Sequence, residues 1–157
     1  VATQIHTWLL EVEKILLGTS ATNTRFTASP FKQSPAPFDF KEVHDTHDHR
    51  AFRVEVTESE DAGGGSSKHV KELANLQVWV LWDWREADDD EPTAYRELWQ
   101  ELDRIEQAII ADRPANSVFG SVIFTRAGER VERADPTRYV GLVEIGADFS
   151  KDLGNVA

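Results

Sequence analysis

The run His44-Asp45-Thr46-His47-Asp48-His49 puts three imidazoles and two carboxylates within six residues. These are side-chain types that bind zinc or nickel. In an extended chain His47 and His49 share a face, as two ligands of one ion require. The usual second half of such a site, a His-Glu-x-x-His helix or a distant cysteine pair, is missing from the sequence. A polar turn leading into a strand near Arg50 accounts for the same residues with fewer assumptions. His44, His47 and His49 are therefore metal candidates only under an enzyme alternative, a small metal-dependent hydrolase or isomerase. The simpler reading expects no catalytic residue, no metal and no cofactor.

Two further stretches have the outward form of ligand sites. Gly63-Gly64-Gly65 lacks the lysine and spacing of a phosphate-binding loop and is flanked by Glu58, Glu60 and Asp61, which repel phosphate. It reads as a flexible hairpin tip. Asp88-Asp89-Asp90-Glu91 could suggest a calcium loop, but the required glycine and the closing glutamate are absent. With Pro92 next, the acidic run fits a helix start, where carboxylates cap and oppose the dipole and proline is accepted.

The elements that would position these residues follow from periodicity. Ile5, Trp8, Leu9, Val12, Ile15 and Leu16 form one stripe, which predicts a helix over 3–17 with Thr3 as N-cap and Gly18 as its stop. Residues 19–41 carry Pro30, Pro35 and Pro37 between Phe26, Phe31, Phe38 and Phe40, a long loop that packs on its own domain or on a neighbour. Phe52, Val54 and Val56 alternate with Arg53, Glu55 and Thr57 in a half-buried strand over 51–59. The hairpin tip, Glu58 to Lys68, leads to a return strand ending in Leu76-Gln-Val-Trp-Val-Leu-Trp-Asp-Trp84. A helix over 92–112 carries Tyr95, Leu98, Trp99, Leu102, Ile105 and Ile109 on one stripe, with Glu97, Glu101, Asp103, Arg104 and Glu106 outside it and solvated. Strands are expected over 117–125 and 138–149, joined by a charged connection bearing Arg126, Arg130 and Arg133. Residues 150–157 form a tail.

Composition bounds the function. The 157 residues suit a single domain with one core, and 40% hydrophobic content is that of a globular protein. The chain has no cysteine, which removes disulfides, thiolate metal sites and cysteine nucleophiles together. No apolar run approaches the roughly 20 residues of a membrane span, and the start lacks the pattern of a signal peptide, so a soluble, unexported protein is expected. A net charge of -11 argues against gripping nucleic acid, though it suits a wall past which DNA slides.

The fold class expected is α+β: a two-layer sandwich, an antiparallel sheet of about four strands with both amphipathic helices on one face. Leu76, Val78, Val80, Trp82 and Trp84 point to that face. Trp79, Leu81, Phe119, Ile123, Val140 and Leu142 point to the other, for which no third helix exists. Apolar surface is worth about 25 cal/mol per Å² when buried. That second face is therefore expected to be an oligomer interface, with Trp79→Glu disrupting assembly before it unfolds the subunit.

The order of these elements resembles the tail terminator family of long-tailed bacteriophages. The resemblance rests on the helix Ile5–Leu16, the loop with Phe26 and Pro30, the strand His49–Val56, the strand Val78–Trp84, the helix Pro92–Ile110 and the closing pair with Thr137-Arg138-Tyr139-Val140-Gly141. It covers most of the chain and is one of order and pattern. It implies a structural virion protein, assembled in the host cytoplasm and not an enzyme. Six copies would form a ring on the last ring of the tail tube protein, stop polymerisation and join the head connector, with genomic DNA passing through the lumen unbound. Another connector or tube protein is the neighbouring alternative. Glu58, Glu60, Asp61 and Lys68 of the hairpin, and Arg126, Arg130 and Arg133, are the candidate projecting contacts.

Overall fold

The computed structural model describes residues 5–44, 47–61, 69–86, 90–111 and 122–152, with the backbone alone at 58–61, 69–72 and 149–152. The chain is α+β. Helix α1 is Ile5–Leu17 and buries Trp8, Val12, Ile15 and Leu16, the expected stripe. Gly18 ends it at φ 75°, with Gly18 N–H donating to Ile15 O and Thr19 N–H to Lys14 O. A Cβ there would stand 2.9 Å from Phe26 O, so the position needs glycine for both conformation and space. Helix α2 is Glu91–Ile110, and Asp90 caps it by accepting a 2.8 Å hydrogen bond from Thr93 N–H. Asp88 and Asp89 lie outside the described residues.

The strands are β1 (Lys32–Gln33), β2 (Ala51–Asp61), β3 (His69–Asp83), β4 (Val122–Asp135) and β5 (Arg138–Asp152). They form one mixed sheet of five strands in the order β1-β2-β3-β5-β4, rather than an antiparallel sheet of about four. The extra strand comes from the long loop. Lys32 pairs with Ala51 and Gln33 with Phe52 in parallel, and its apolar neighbours, not its own sequence, fix it there. The second difference is at 126–135. The charged connection expected there is strand: β4 pairs with β5 from Val122↔Phe149 to Asp135↔Arg138 and turns at Pro136-Thr137. Its outer positions face water on both sides of the sheet, so the apolar alternation that betrays a buried strand is missing. β5 likewise runs three residues beyond the expected end, into the tail.

Alternation on β3 sorts the core as expected. Leu76, Val78, Val80 and Trp82 cluster with Phe52, Tyr139, Val143, Ile145 and residues of both helices. Gly141 lies beneath α2, where a Cβ would come within 2.9 Å of the Leu102 side chain. Trp79, Leu81, Val140 and Leu142 form a second cluster with Phe38 and Ala51, and Phe40, Val43 and Ala134 pack around it. The cover thought to be missing is thus supplied by the chain's own loop. Trp79 is only 7% exposed, and Leu81, Val140 and Leu142 are buried as well. They are unavailable as an oligomer interface unless the loop moves away, and Trp79→Glu is now expected to damage the subunit itself. Of the other two residues assigned to that face, Ile123 is 64% exposed and Phe119 lies outside the described residues.

Candidate functional site

A groove of about 700 Å³ lies at the end of the sheet where β2 begins, β3 ends and the β4–β5 turn closes. The histidine run passes along it, and each histidine there is already committed. His47 is 5% exposed. Its Nδ1 accepts from His44 N–H at 3.0 Å, and its Nε2 faces the Ala36 carbonyl at 3.1 Å. A carbonyl can only accept, so Nε2 carries the proton and the ring is neutral. His49 Nδ1 accepts from Asp83 N–H at 3.1 Å, and the ring stands edge-on to Trp82. Burial first, then the charge of Arg50, lowers the His49 pKa to about 4 despite Asp83. His44 is exposed and 3.4 Å from Glu42. Among the described residues the three do not form a group of ligand atoms within mutual reach. Asp45 lies outside the described residues.

Arginines organise the rest of the groove. Arg50 holds φ 66°, an uncommon left-handed conformation for a residue with a side chain. Its N–H donates to Leu81 O, which ties the turn to β3. The guanidinium lies 4.2 Å from the Phe31 ring centre, donates to Ser29 O and Pro30 O, and meets Glu101 at 3.3 Å. Glu101 is therefore not on a solvated helix face, as its position outside the apolar stripe suggested. It is buried and also binds Arg104. Arg138, 8% exposed, donates through Nε to Asp135 at 2.7 Å and through Nη1 to His44 O at 2.8 Å. Burial opposes ionisation of Asp135, and the hydrogen bonds from Arg138 and Thr137 outweigh it, leaving this carboxyl below its usual range.

Around the groove Lys32, Arg50, Arg85 and Arg138 are matched by Asp48, Asp83, Glu86 and Asp135. The cations and anions are equal in number, and Arg85 pairs with Asp83 and Arg138 with Asp135, so the lining favours neither an anionic nor a cationic ligand. The arrangement joins a loop, a sheet end and a turn, and its Thr137 hydroxyl donates to Asp135 at 3.3 Å.

Among the described residues, the one group of three or more potential metal-ligating side chains within mutual reach lies elsewhere. Asp103 and Glu106 of α2 and Glu129 of β4 bring ligand oxygens within 4.8 Å of one another. Glu129 Oε1 is buried with no hydrogen-bond partner among the described residues. Burial, then hydrogen bonding to Asp103 and Glu106, pushes the Glu129 carboxyl up to about 9, so at neutral pH it holds its proton. The i, i+3 spacing of Asp103 and Glu106 was visible on the helix. Glu129 arrives from a distant strand, and no local signal announces it.

The candidate projecting residues also divide. Arg126, Arg130 and Arg133 lie on β4 rather than on a loop, where Arg130 covers the Phe40 ring at 4.3 Å and Arg133 pairs with Glu91. Glu58, Glu60 and Asp61 are in β2, and their backbones pair with Asn75, Leu73 and Glu72. Lys68 lies outside the described residues. No helix among the described residues is long and apolar enough to cross a membrane. No family model matches the chain, and no curated protein is significantly similar to it.

Proposed function

We propose that this chain is a structural subunit of a phage virion, a tail terminator that forms a ring on the tail tube, stops its growth and meets the head connector. The observation that carries this reading is the length of the paired ladder. The backbones of β3 and β5 pair over their whole length, from Asp83↔Arg138 to His69↔Asp152, with Asp61↔Glu72 of β2 alongside. A paired arm of this length suits contact with a neighbouring subunit or with the tube below. In this reading both helices lie on one face as a second layer, and the order of elements matches the resemblance. The net charge of -11 suits a lumen that DNA traverses without sticking.

Electron microscopy of the purified protein tests the ring, and tail length in a phage lacking the protein tests the role. Open-centred rings and overlong tubes are expected. A monomer at all concentrations, or tubes of normal length in its absence, would overturn the proposal, and normal tubes with defective heads would transfer the chain to a connector role.

A further inference from the structure

Among the described residues β4 is the last strand of the sheet. It is 14 residues long, contains no proline, and is exposed at Ile123, Thr125, Arg126, Ala127, Gly128, Arg130, Glu132 and Arg133. A long edge strand of this kind is a template for another strand unless its charges prevent pairing. Here the charges select one partner.

The segment Glu129-Arg130-Val131-Glu132-Arg133 is complementary to its own reverse. In an antiparallel pair turned about a two-fold axis through Val131, Glu129 opposes Arg133 of the other copy and Arg130 opposes Glu132. Each of these pairs occurs twice. The faces agree as well. Glu129, Val131 and Arg133 lie opposite Val143, Gly141 and Tyr139 on the helix side, whereas Arg130 and Glu132 lie opposite Leu142 and Val140 on the other. Neighbouring registers fail. Moving the axis to Arg130 or Glu132 sets that residue against its own copy, and the two half-steps between oppose Glu129 to Glu132 or Arg130 to Arg133. Directly opposed like charges destabilise a sheet, and opposite charges stabilise it.

We propose that β4 is the docking edge for a second copy of this chain, pairing antiparallel about Val131 so that one sheet runs through both subunits. The pairing also brings a cation to the carboxylates beside α2. Arg133 of the second copy comes to Glu129, whose carboxyl lies with those of Asp103 and Glu106 and whose Oε1 has no hydrogen-bond partner among the described residues. In its own subunit Arg133 rests half-exposed on Glu91 and Tyr139, from which its guanidinium can turn. The inference is independent of the phage assignment, because a ring closed by head-to-tail contacts alone contains no such two-fold.

Light scattering on size-fractionated protein gives the first test. The wild-type chain should have the mass of a dimer or a multiple of one. R130E should weaken pairing by about tenfold or more, since two cross-strand attractions become repulsions. R130E/E132R, which restores the opposition with the signs exchanged, should recover it. Arg130 also covers the Phe40 ring, so near-ultraviolet circular dichroism from Trp79 in both variants separates a loss of pairing from a loosened loop cover. The second test uses the absence of cysteine. Val131→Cys places one thiol on the axis, where opposed Cα atoms about 4.5–5.5 Å apart permit a disulfide, so oxidation should yield a covalent dimer. A wild-type monomer at every concentration, a failure of the double exchange to restore pairing, or no covalent dimer would overturn the inference. Rings that form without the Val131→Cys cross-link would support the ring and sink this edge. A cross-linked dimer that builds nothing larger would do the reverse.

Discussion

On one side of the sheet, Leu76, Val78 and Val80 share a cluster with α1 and α2, and on the other Trp79, Leu81 and Leu142 are buried beneath Phe38 and Phe40 of a proline-rich loop. The first cover is made of repeating elements. Its apolar residues recur every three or four positions, and its backbone hydrogen bonds are internal. The second has neither property. Its shape is held by single contacts: Lys41 and Glu42 N–H donate to Asp39 Oδ1, His47 pairs with Ala36 O, and Arg53 donates to Phe38 O. Arg53 over Trp79 and Arg130 over Phe40 then seal its rim. Equal burial can thus be reached by a helix through periodicity or by a loop through a handful of placed side chains, and the loop depends far more on each one.

The sharpest way to break this comparison is to remove one side chain from each cover. Leu102 is fully buried against Gly141. Leu102→Ala should destabilise the fold by about 2–5 kcal/mol, because a rigid helix and sheet cannot close the cavity. This is measured by urea denaturation. Phe38→Ala should cost less, roughly 2–3 kcal/mol, below the usual range for a buried phenylalanine, since a loop collapses more readily into the gap. Its signature should be local: near-ultraviolet dichroism from Trp79 falls while the far-ultraviolet helix signal holds. Equal losses, with both signals lost together, would show that the two covers act as one cooperative unit.

A separate effect expected is a pH dependence confined to the helix side. Glu129 has its pKa raised from 4.5 to about 9. The folded chain then holds a proton that the unfolded chain has lost. The resulting stabilisation is fully present below pH 4.5 and disappears as pH rises through about 9. Glu129→Gln should flatten this slope. Comparing melting temperatures from pH 5 to 9 in the R130E background, where a second copy is kept away from Glu129, would reveal it. An unchanged slope would mean that Glu129 is ionised in the folded chain.

Much of this was legible in the residues themselves. The stripe from Trp8 to Leu16, the Asp90 cap and the opposed sets on β3 and β5 come from neighbours three, four or two positions apart, so backbone geometry alone decides which face they occupy. Within the histidine run, spacing suggested ligands, but the distant atoms Ala36 O and the Asp83 N–H decided what two of the rings do. Residues 126–135 showed charge without apolar alternation and read as a connection, because an edge strand buries too little of itself to leave a pattern.

The sequence by itself determined the amphipathic elements and the division of the strands into two apolar sets, since these depend on local periodicity and hydrophobicity. Only the tertiary structure decided that Phe38 and Phe40 cover Trp79, that Lys32–Gln33 joins the sheet, that Glu101 is drawn inside by Arg50, and that Glu129 meets Asp103 and Glu106. Each of these depends on residues far apart in the chain, whose meeting is fixed by packing the whole sheet and not by any signal carried in either segment.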